Sequence, residues 1–153
     1  MKYIGIDPGK KGGFAIIDVD LDCGELYEPR VYVQLMNDKD FMEFMKSCSV
    51  SKCKCCLEEV HAMPKQGVSS TFSFGEGYGF LKGVLECLGI SYQTISPRRW
   101  KGEFGLNSEK KKSIEVCQRL FPDVSLLPTE RSRVPSDGMA ESLLMAEYAR
   151  RKL

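Results

Sequence analysis

Asp137 and Glu141 stand four residues apart in the closing stretch "SDGMAESLLMAEYARR". In a helix they share one face, and at about 100° per residue Asp137, Glu141, Leu144 and Tyr148 fall within a sector of about 60°. Both acids therefore begin the stripe that Leu144 and Tyr148 continue into the core, whereas solvated acids sit opposite such a stripe. Like charges at this spacing repel and burial makes each costlier, so an inward placement calls for a compensating cation or a proton. The run "CCLEEV" supplies Glu58 and Glu59. Successive side chains alternate across a strand, so at most one of the two meets the helix acids. Asp7, in "GIDPGKKGG" directly after a short apolar run, is a fourth candidate. Each acid also has a plain reading. Asp-Pro-Gly is a common turn, with Pro presetting φ and Gly taking positive φ, and Asp137 and Glu141 read equally as an N-terminal helix acid and a surface acid.

Clustered carboxylates suit a hard cation. Mg²⁺, with Mn²⁺ as a possible substitute, binds a few carboxylates, keeps several waters and takes substrate phosphate. With two such ions close together, one activates water and the other stabilises the leaving oxygen, so a carboxylate cluster beside a basic surface predicts metal-assisted phosphodiester cleavage.

The charge distribution supplies such a surface. The net charge of the 153 residues is only +1, but from Phe14 to Met45 eight acids face two bases. From Pro97 to Arg119 seven bases face three acids, centred on "SPRRWKGEF" and "SEKKKS". That polarity suits a polyanion, and Arg98, Arg99 and Lys110, Lys111 and Lys112 are the expected phosphate contacts, with Lys65 and Gln66 of "HAMPKQGVSS" added as DNA-binding candidates. The same run also reads as a solvated face. Three lysines in a first helical turn oppose the helix dipole, which asks for an anion nearby; a bound phosphate is one candidate and solvated lysines are the other. The seven cysteines include "CKCC" (Cys53, Cys55, Cys56), but His61 is the single histidine and no pair of separated CxxC couples exists. Zinc and disulfides are therefore poorly supported, and cysteine as a small buried hydrophobe on an interior strand fits better. The amino terminus lacks an apolar signal region and no window reaches the roughly 18 apolar residues of a membrane span, so a soluble intracellular protein with no membrane association is expected.

The elements that must position these residues follow from periodicity. "KYIGID" and "GFAIIDV" are apolar strands joined by a Gly-rich turn, and "EPRVYVQL" follows as a third. "DKDFMEFMKSC" has helical spacing with Asn37 or Asp38 as cap, "CKCCLEEV" is a buried strand, and "ISYQTIS" is another. Between the last two, Ser70 to Leu88 is helical, with Phe74, Tyr78, Leu81, Leu85 and Leu88 on one face. Its Gly75, Gly77, Gly79 and Gly83 together cost about 3 to 4 kcal/mol relative to Ala. Gly75, Gly79 and Gly83 form a stripe suited to close packing, within a subunit or across a dimer. "SEKKKSIEVCQRLF" is a helix stopped by Pro122, "PDVSLLPTERSRVPSDG" is irregular, and a helix closes the chain. The order β-β-β-α-β-α-β-α-α predicts a mixed sheet flanked by helices, in one domain spanning residues 1–153.

"IGIDPGKKGGFAII", "LEEVHAMPKQGVSSTFSFGEGYGFLKGVL" and "SDGMAESLLMAEYARR" resemble the three blocks of RuvC-type Holliday-junction resolvases, particularly the phage and plant plastid branches. The resemblance runs from Tyr3 to Arg151. It implies an α/β, RNase H-like fold with a mixed five-stranded sheet, a homodimer, and Mg²⁺-dependent paired, symmetric incision of four-way DNA junctions. By position Asp7 matches the first-strand acid, Glu58 rather than Glu59 matches the central-strand glutamate, and Asp137 and Glu141 match the helix acids. Lys101 and Lys111 fall where the family places basic residues near the cleaved phosphate. Such a protein would work in the cytoplasm of a bacterial or phage-infected cell, or in an organelle matrix after loss of a transit peptide.

Departures accompany the likeness. Bacterial members commonly space the helix acids by three, and often carry an aromatic where this chain has His61, which reads as a base, a stacking residue or a loop residue. "CKCC" has no counterpart. Three rival readings exist. Relatives with a similar first block process ribosomal RNA ends but lack the "HAMPKQGVSS" and glycine-helix block. An actin-like ATPase would need a second lobe for which 153 residues leave no room. A non-catalytic junction-binding module would have no use for the acids.

Overall fold

The structure, a computed structural model, describes residues 1–19, 28–48, 52–62 and 64–153. Five strands and five helices follow in the order β1 (Lys2–Asp7), β2 (Gly13–Asp18), β3 (Arg30–Leu35), α1 (Asp38–Cys48), β4 (Cys53–Glu58), α2 (Val68–Cys87), β5 (Tyr92–Ile95), α3 (Pro97–Glu103), α4 (Lys110–Leu120) and α5 (Asp137–Lys152). The sheet order is β3-β2-β1-β4-β5. The first three strands form an antiparallel meander, while β4 and β5 join parallel to β1. This is the mixed five-stranded sheet of an RNase H-like fold. Of the acidic run near the amino terminus, Asp20, Asp22 and Glu25 lie outside the described residues.

Strand alternation divides the core in two. Ile4 and Ile6 of β1, Phe14 and Ile16 of β2 and Cys55 and Leu57 of β4 pack with Phe41 and Met45 of α1 and Leu81 and Leu85 of α2. The opposite face of the same strands offers Ala15, Ile17 and Cys56 to α5, Trp100 and Cys117. Cys55 and Cys56 are thus free, fully buried thiols on opposite sides of an interior strand, as expected of cysteine used as a small hydrophobe. Helix α1 is capped by Asn37, whose Oδ1 accepts from the N–H groups of Lys39 and Asp40 at 3.1 and 3.2 Å.

Helix α5 is held unusually close to the sheet. A Cβ placed on Gly5 of β1 would lie 2.1 Å from the Ser142 carbonyl oxygen and 2.3 Å from the Ala146 nitrogen. One on Gly138 would lie 2.0 Å from the Lys11 carbonyl oxygen. No side chain larger than hydrogen fits at either contact, so the two backbones touch directly.

Two expectations need correction. Helix α3 replaces what reads as a basic connection, with Pro97 at its first turn. The glycines of α2 do not pack against the described residues: apart from the helix's own backbone, none of these lies within 4 Å of where a Cβ would stand on Gly75, Gly77, Gly79 or Gly83, which leaves the packing across a dimer as the other expectation. The apolar face of α2 is as expected, with Leu81 and Leu85 buried and Phe74, Tyr78 and Leu88 half-buried, so the glycine stripe points away from the core. Among the described residues no helix is long and apolar enough to cross a membrane.

The contrast between these glycines is measurable. Gly5→Ala should destabilise the protein by about 3 kcal/mol or more, because backbone cannot yield as a flexible side chain does. Gly77→Ala, in open space off the stripe, should stabilise it by about 0.5 to 1 kcal/mol. Chemical denaturation of the two variants reads both signs.

Candidate active site

Alternation also decides which acids meet. β1 and β4 run in register as far as Ile6 opposite Leu57, and Asp7 and Glu58 each follow that last pair. Both stand in phase with Gly5 and Cys56, the residues facing α5. Asp137 opens α5 behind the Ser136 cap, whose side chain accepts from the Met139 N–H at 3.2 Å, and Glu141 lies one turn on. Glu59 turns aside, exposed, with His61 Nε2 3.8 Å from its carboxylate. The backbone contacts at Gly5 and Gly138 thus lower the first turns of α5 onto the end of β1.

The cluster is visible in its electrostatics. Asp7 has its carboxyl raised well above the ordinary 3.8, by burial first, then by Glu58 and Glu141, with Asp137 adding and Lys101 opposing. Glu58 is raised too, by burial first; the Trp100 hydrogen bond and Lys101 oppose this, and Glu141 adds to it. Burial also pushes Asp137 upward, but its bond to Lys110 and the charge of that lysine outweigh it and leave the carboxyl lowered. Asp7 therefore feels all three other acids.

Each remaining acid has a designated donor. The Trp100 indole N–H, itself fully buried, donates to Glu58 Oε2 at 2.8 Å. Lys101 Nζ donates to Glu141 Oε1 at 2.9 Å, and Ser113 Oγ donates to the same oxygen at 3.0 Å. Lys110 pairs with Asp137. The anion that the lysines of α4 require is thus supplied by protein carboxylates, Asp137 for Lys110 and Glu109 for Lys112.

Of the basic residues singled out in the sequence, Lys101 is in the cluster and Lys111 is not. Lys111 is exposed on the first turn of α4 and makes no ion pair among the described residues; its neighbour Lys110 reaches the acids instead. Arg98 and Arg99 are exposed on α3, the helix that carries Trp100 and Lys101. Lys65 is exposed with a left-handed backbone (φ 67°), and Gln66 is half-buried. Beside the β1–β2 turn an open groove of about 1040 Å³ is lined by Gly9, Lys10, Ser69, Ser70, Ser73 and Phe74 among others. Trp100 and Ser113 are the site residues that sequence reasoning missed. Their signals are adjacency to Lys101, for the single tryptophan, and the three-residue spacing from Lys110, which puts Ser113 on the same face of α4.

The donor types suit a hard divalent ion: three carboxylates within electrostatic reach of Asp7, with no sulfur or imidazole among them. As the side chains stand, no three His, Cys, Asp or Glu groups among the described residues are gathered to hold an ion. Glu141 and Asp137 are paired instead with Lys101 and Lys110.

The raised Asp7 carboxyl fixes a pH dependence. Between 3.8 and its higher folded value the folded chain binds more protons than the unfolded one, so the Asp7 contribution to stability falls as pH rises through that window. Asp7→Asn should therefore melt above the wild type at pH 7 in metal-free buffer, and the gap should close as the pH approaches 3.8. Thermal melts across the range check both statements.

No family model and no curated protein matches this chain. Solved structures do. A Thermus thermophilus RuvC structure aligns with a TM-score of 0.53 at 16% identity, covering 99% of this chain and 96% of the other. T. thermophilus RuvC in complex with a Holliday junction substrate aligns with a TM-score of 0.61 at 14% identity, covering 99% and 97%. Over nearly its whole length this chain is similar to RuvC in fold, down to the mixed five-stranded sheet.

Proposed function

We propose that this protein is a structure-selective endonuclease that resolves four-way DNA junctions by paired, symmetric nicks, using two divalent ions held by Asp7, Glu58, Asp137 and Glu141. The observation that carries the reading is that Asp7, at the end of β1, lies within electrostatic reach of Glu58, Glu141, Asp137 and Lys101, with Lys101 bonded to Glu141. The shared fold with a RuvC solved on a junction supports the substrate class. Mg²⁺ suits the all-oxygen donor set, and Mn²⁺ would be accepted by the same ligands. When bound, such ions supply the activation of water and the neutralisation of the leaving oxygen that phosphodiester hydrolysis requires.

The chain's own groups do the positioning. The Trp100 N–H fixes the Glu58 carboxylate and Ser113 fixes that of Glu141, so neither acid has to search for its orientation. In the turn after Asp7, Gly9, Gly12 and Gly13 leave room for a DNA backbone and the exposed Lys10 and Lys11 offer it positive charge. Arg98 and Arg99, exposed on the helix that holds Lys101, are placed to bind flanking phosphates. A homodimer would present two such sites. Its supporting surface is the outer stripe of α2, where Val68 is 88% and Phe72 67% exposed in line with Gly75, Gly79 and Gly83, beside an apolar hollow of about 300 Å³ lined by Met42, Phe80, Val84 and Leu88.

Incubating the purified protein with a synthetic immobile junction and Mg²⁺ should give nicks in pairs on opposing strands, from a species that sediments as a dimer. Asp7→Asn should lower the cleavage rate by on the order of 10²-fold or more while the protein stays folded. Cleavage of structured RNA in preference to the junction would replace this reading with RNA processing, and tight junction binding without any nick would replace it with a binding module. Replacing Arg98 and Arg99 together by Ala should flatten the dependence of log affinity on log salt by about 2, near 0.9 per lost phosphate contact.

A further inference from the structure

Two lysines from different helices, α3 and α4, each bind an acid of α5 at a site proposed to hold divalent ions. The Lys101–Glu141 pair is the more enclosed, with side chains 20% and 12% exposed, and Glu141 Oε1 already accepts from both Lys101 and Ser113. Lys110 reaches Asp137 from a largely solvated position, 70% exposed. An ammonium group paired with a carboxylate neutralises the charge that would attract a metal ion, so the two cations compete for the same two carboxylates. Resting on the endonuclease reading, we infer that Lys101 and Lys110 are exchangeable counter-ions: without a divalent ion they neutralise Glu141 and Asp137, and when the ion binds they are released toward the DNA.

The exchange gives each lysine two consecutive partners. In the ion-free protein the ammonium groups stand in for the missing charge, so the acid pocket is not left as an assembly of unpaired carboxylates. After exchange the same two positive charges stand at the mouth of the site with no carboxylate to satisfy them, next to the position a phosphate would take. Ion binding should then tighten DNA binding, and DNA should tighten ion binding by the same factor. Lys101 also lies over the Trp100 ring, 5.1 Å from its centroid, which offers the ammonium a second resting contact after Glu141 is taken from it.

The test is Mg²⁺ binding itself, measured by calorimetry and by the shift in melting temperature, without reference to cleavage. Lys101→Met should bind Mg²⁺ about fivefold more tightly than the wild type, because the competitor is gone, and should melt lower than the wild type in its absence. Lys110→Met should show the same pattern more weakly, since its pair is better solvated. Lys101→Arg restores the competing cation and should return the affinity to the wild-type value. Lys111→Met, which removes an equal charge from the same surface without breaking an ion pair, should change it less than about twofold. If Lys101→Met binds Mg²⁺ no more tightly than Lys111→Met, or more weakly than the wild type, the exchange is wrong while the metal site stands. A wild-type protein whose melting does not respond to Mg²⁺ through Asp7 overturns the metal site and the exchange together. Should Lys101→Met fail to fold, the exposed Lys110→Met carries the comparison, and its failure to exceed Lys111→Met overturns the inference.

Discussion

The approach of α5 to the sheet, backbone on backbone, is the constraint on which everything else depends. Gly5 admits the Ser142 carbonyl and the Ala146 nitrogen into the space a side chain would fill, and Gly138 does the same for the Lys11 carbonyl. Helices ordinarily keep their distance from a sheet through their side chains. Here that spacer is removed at two points about a helical turn apart, so the first two turns of α5 settle onto the ends of β1 and β2. The residues left at that end of α5 are Asp137 and Glu141, and the residue left at the end of β1 is Asp7. A larger helix-to-sheet distance would separate these acids without changing a single one of them. Most of the residues from Gly138 to Ala149 are buried, so α5 is the core element of its face of the sheet and its position is fixed over its whole length.

Bringing four acids together has an electrostatic cost, and the structure distributes its relief unevenly. Asp7 receives no hydrogen bond from a side chain in the cluster and is pushed toward its protonated form. Glu58 receives a neutral donor, the Trp100 N–H, and Glu141 and Asp137 receive lysines. The two acids given ammonium groups are those on the helix, whereas on the strands Glu58 has an indole and Asp7 has no side-chain donor. A buried carboxylate with only a neutral partner keeps most of its appetite for positive charge, and a paired one has lost it. An entering cation thus meets the strand acids first in electrostatic terms, and has to displace a lysine to recruit the helix acids.

Much of this was legible in the sequence, for identifiable reasons. The strands and the long helices follow from period-2 and period-3.6 patterns, and the inward face of Asp137 and Glu141 follows from their place at the head of the Leu144 and Tyr148 stripe. That one of Glu58 and Glu59 must turn away is a consequence of strand alternation; which one is given by the family resemblance, and the structure puts Glu59 beside His61. Helix α3 escaped because it spans seven residues, too few for a hydrophobic period, and its Ser-Pro start also reads as the end of β5. Lys110 rather than Lys111 reaches the acids because a shift of one residue rotates a helical side chain by about 100°, and the chain entering α4 has no sharp cap to fix that phase: Glu109 stands at the cap position without a side-chain capping bond. The family resemblance located the basic residues only to within such a shift.

The glycines of α2 show where sequence reasoning finds a cost without finding its compensation. A helix of 20 residues is about 30 Å long, yet only Leu81 and Leu85 are fully buried, both in its second half. The first half projects beyond the sheet, carrying Val68 and Phe72 in the open. Glycines there weaken the helix where it has the least tertiary support, which is the reverse of the pattern expected if helix stability within one subunit were the only demand. A surface without side chains is the kind that admits another backbone closely. Gly5 and Gly138 demonstrate that arrangement inside the molecule: loss of the Cβ exchanged for direct contact between main chains. The outer stripe of α2 presents the same lack of side chains in the open, and it is the surface on which the proposed homodimer would be seated.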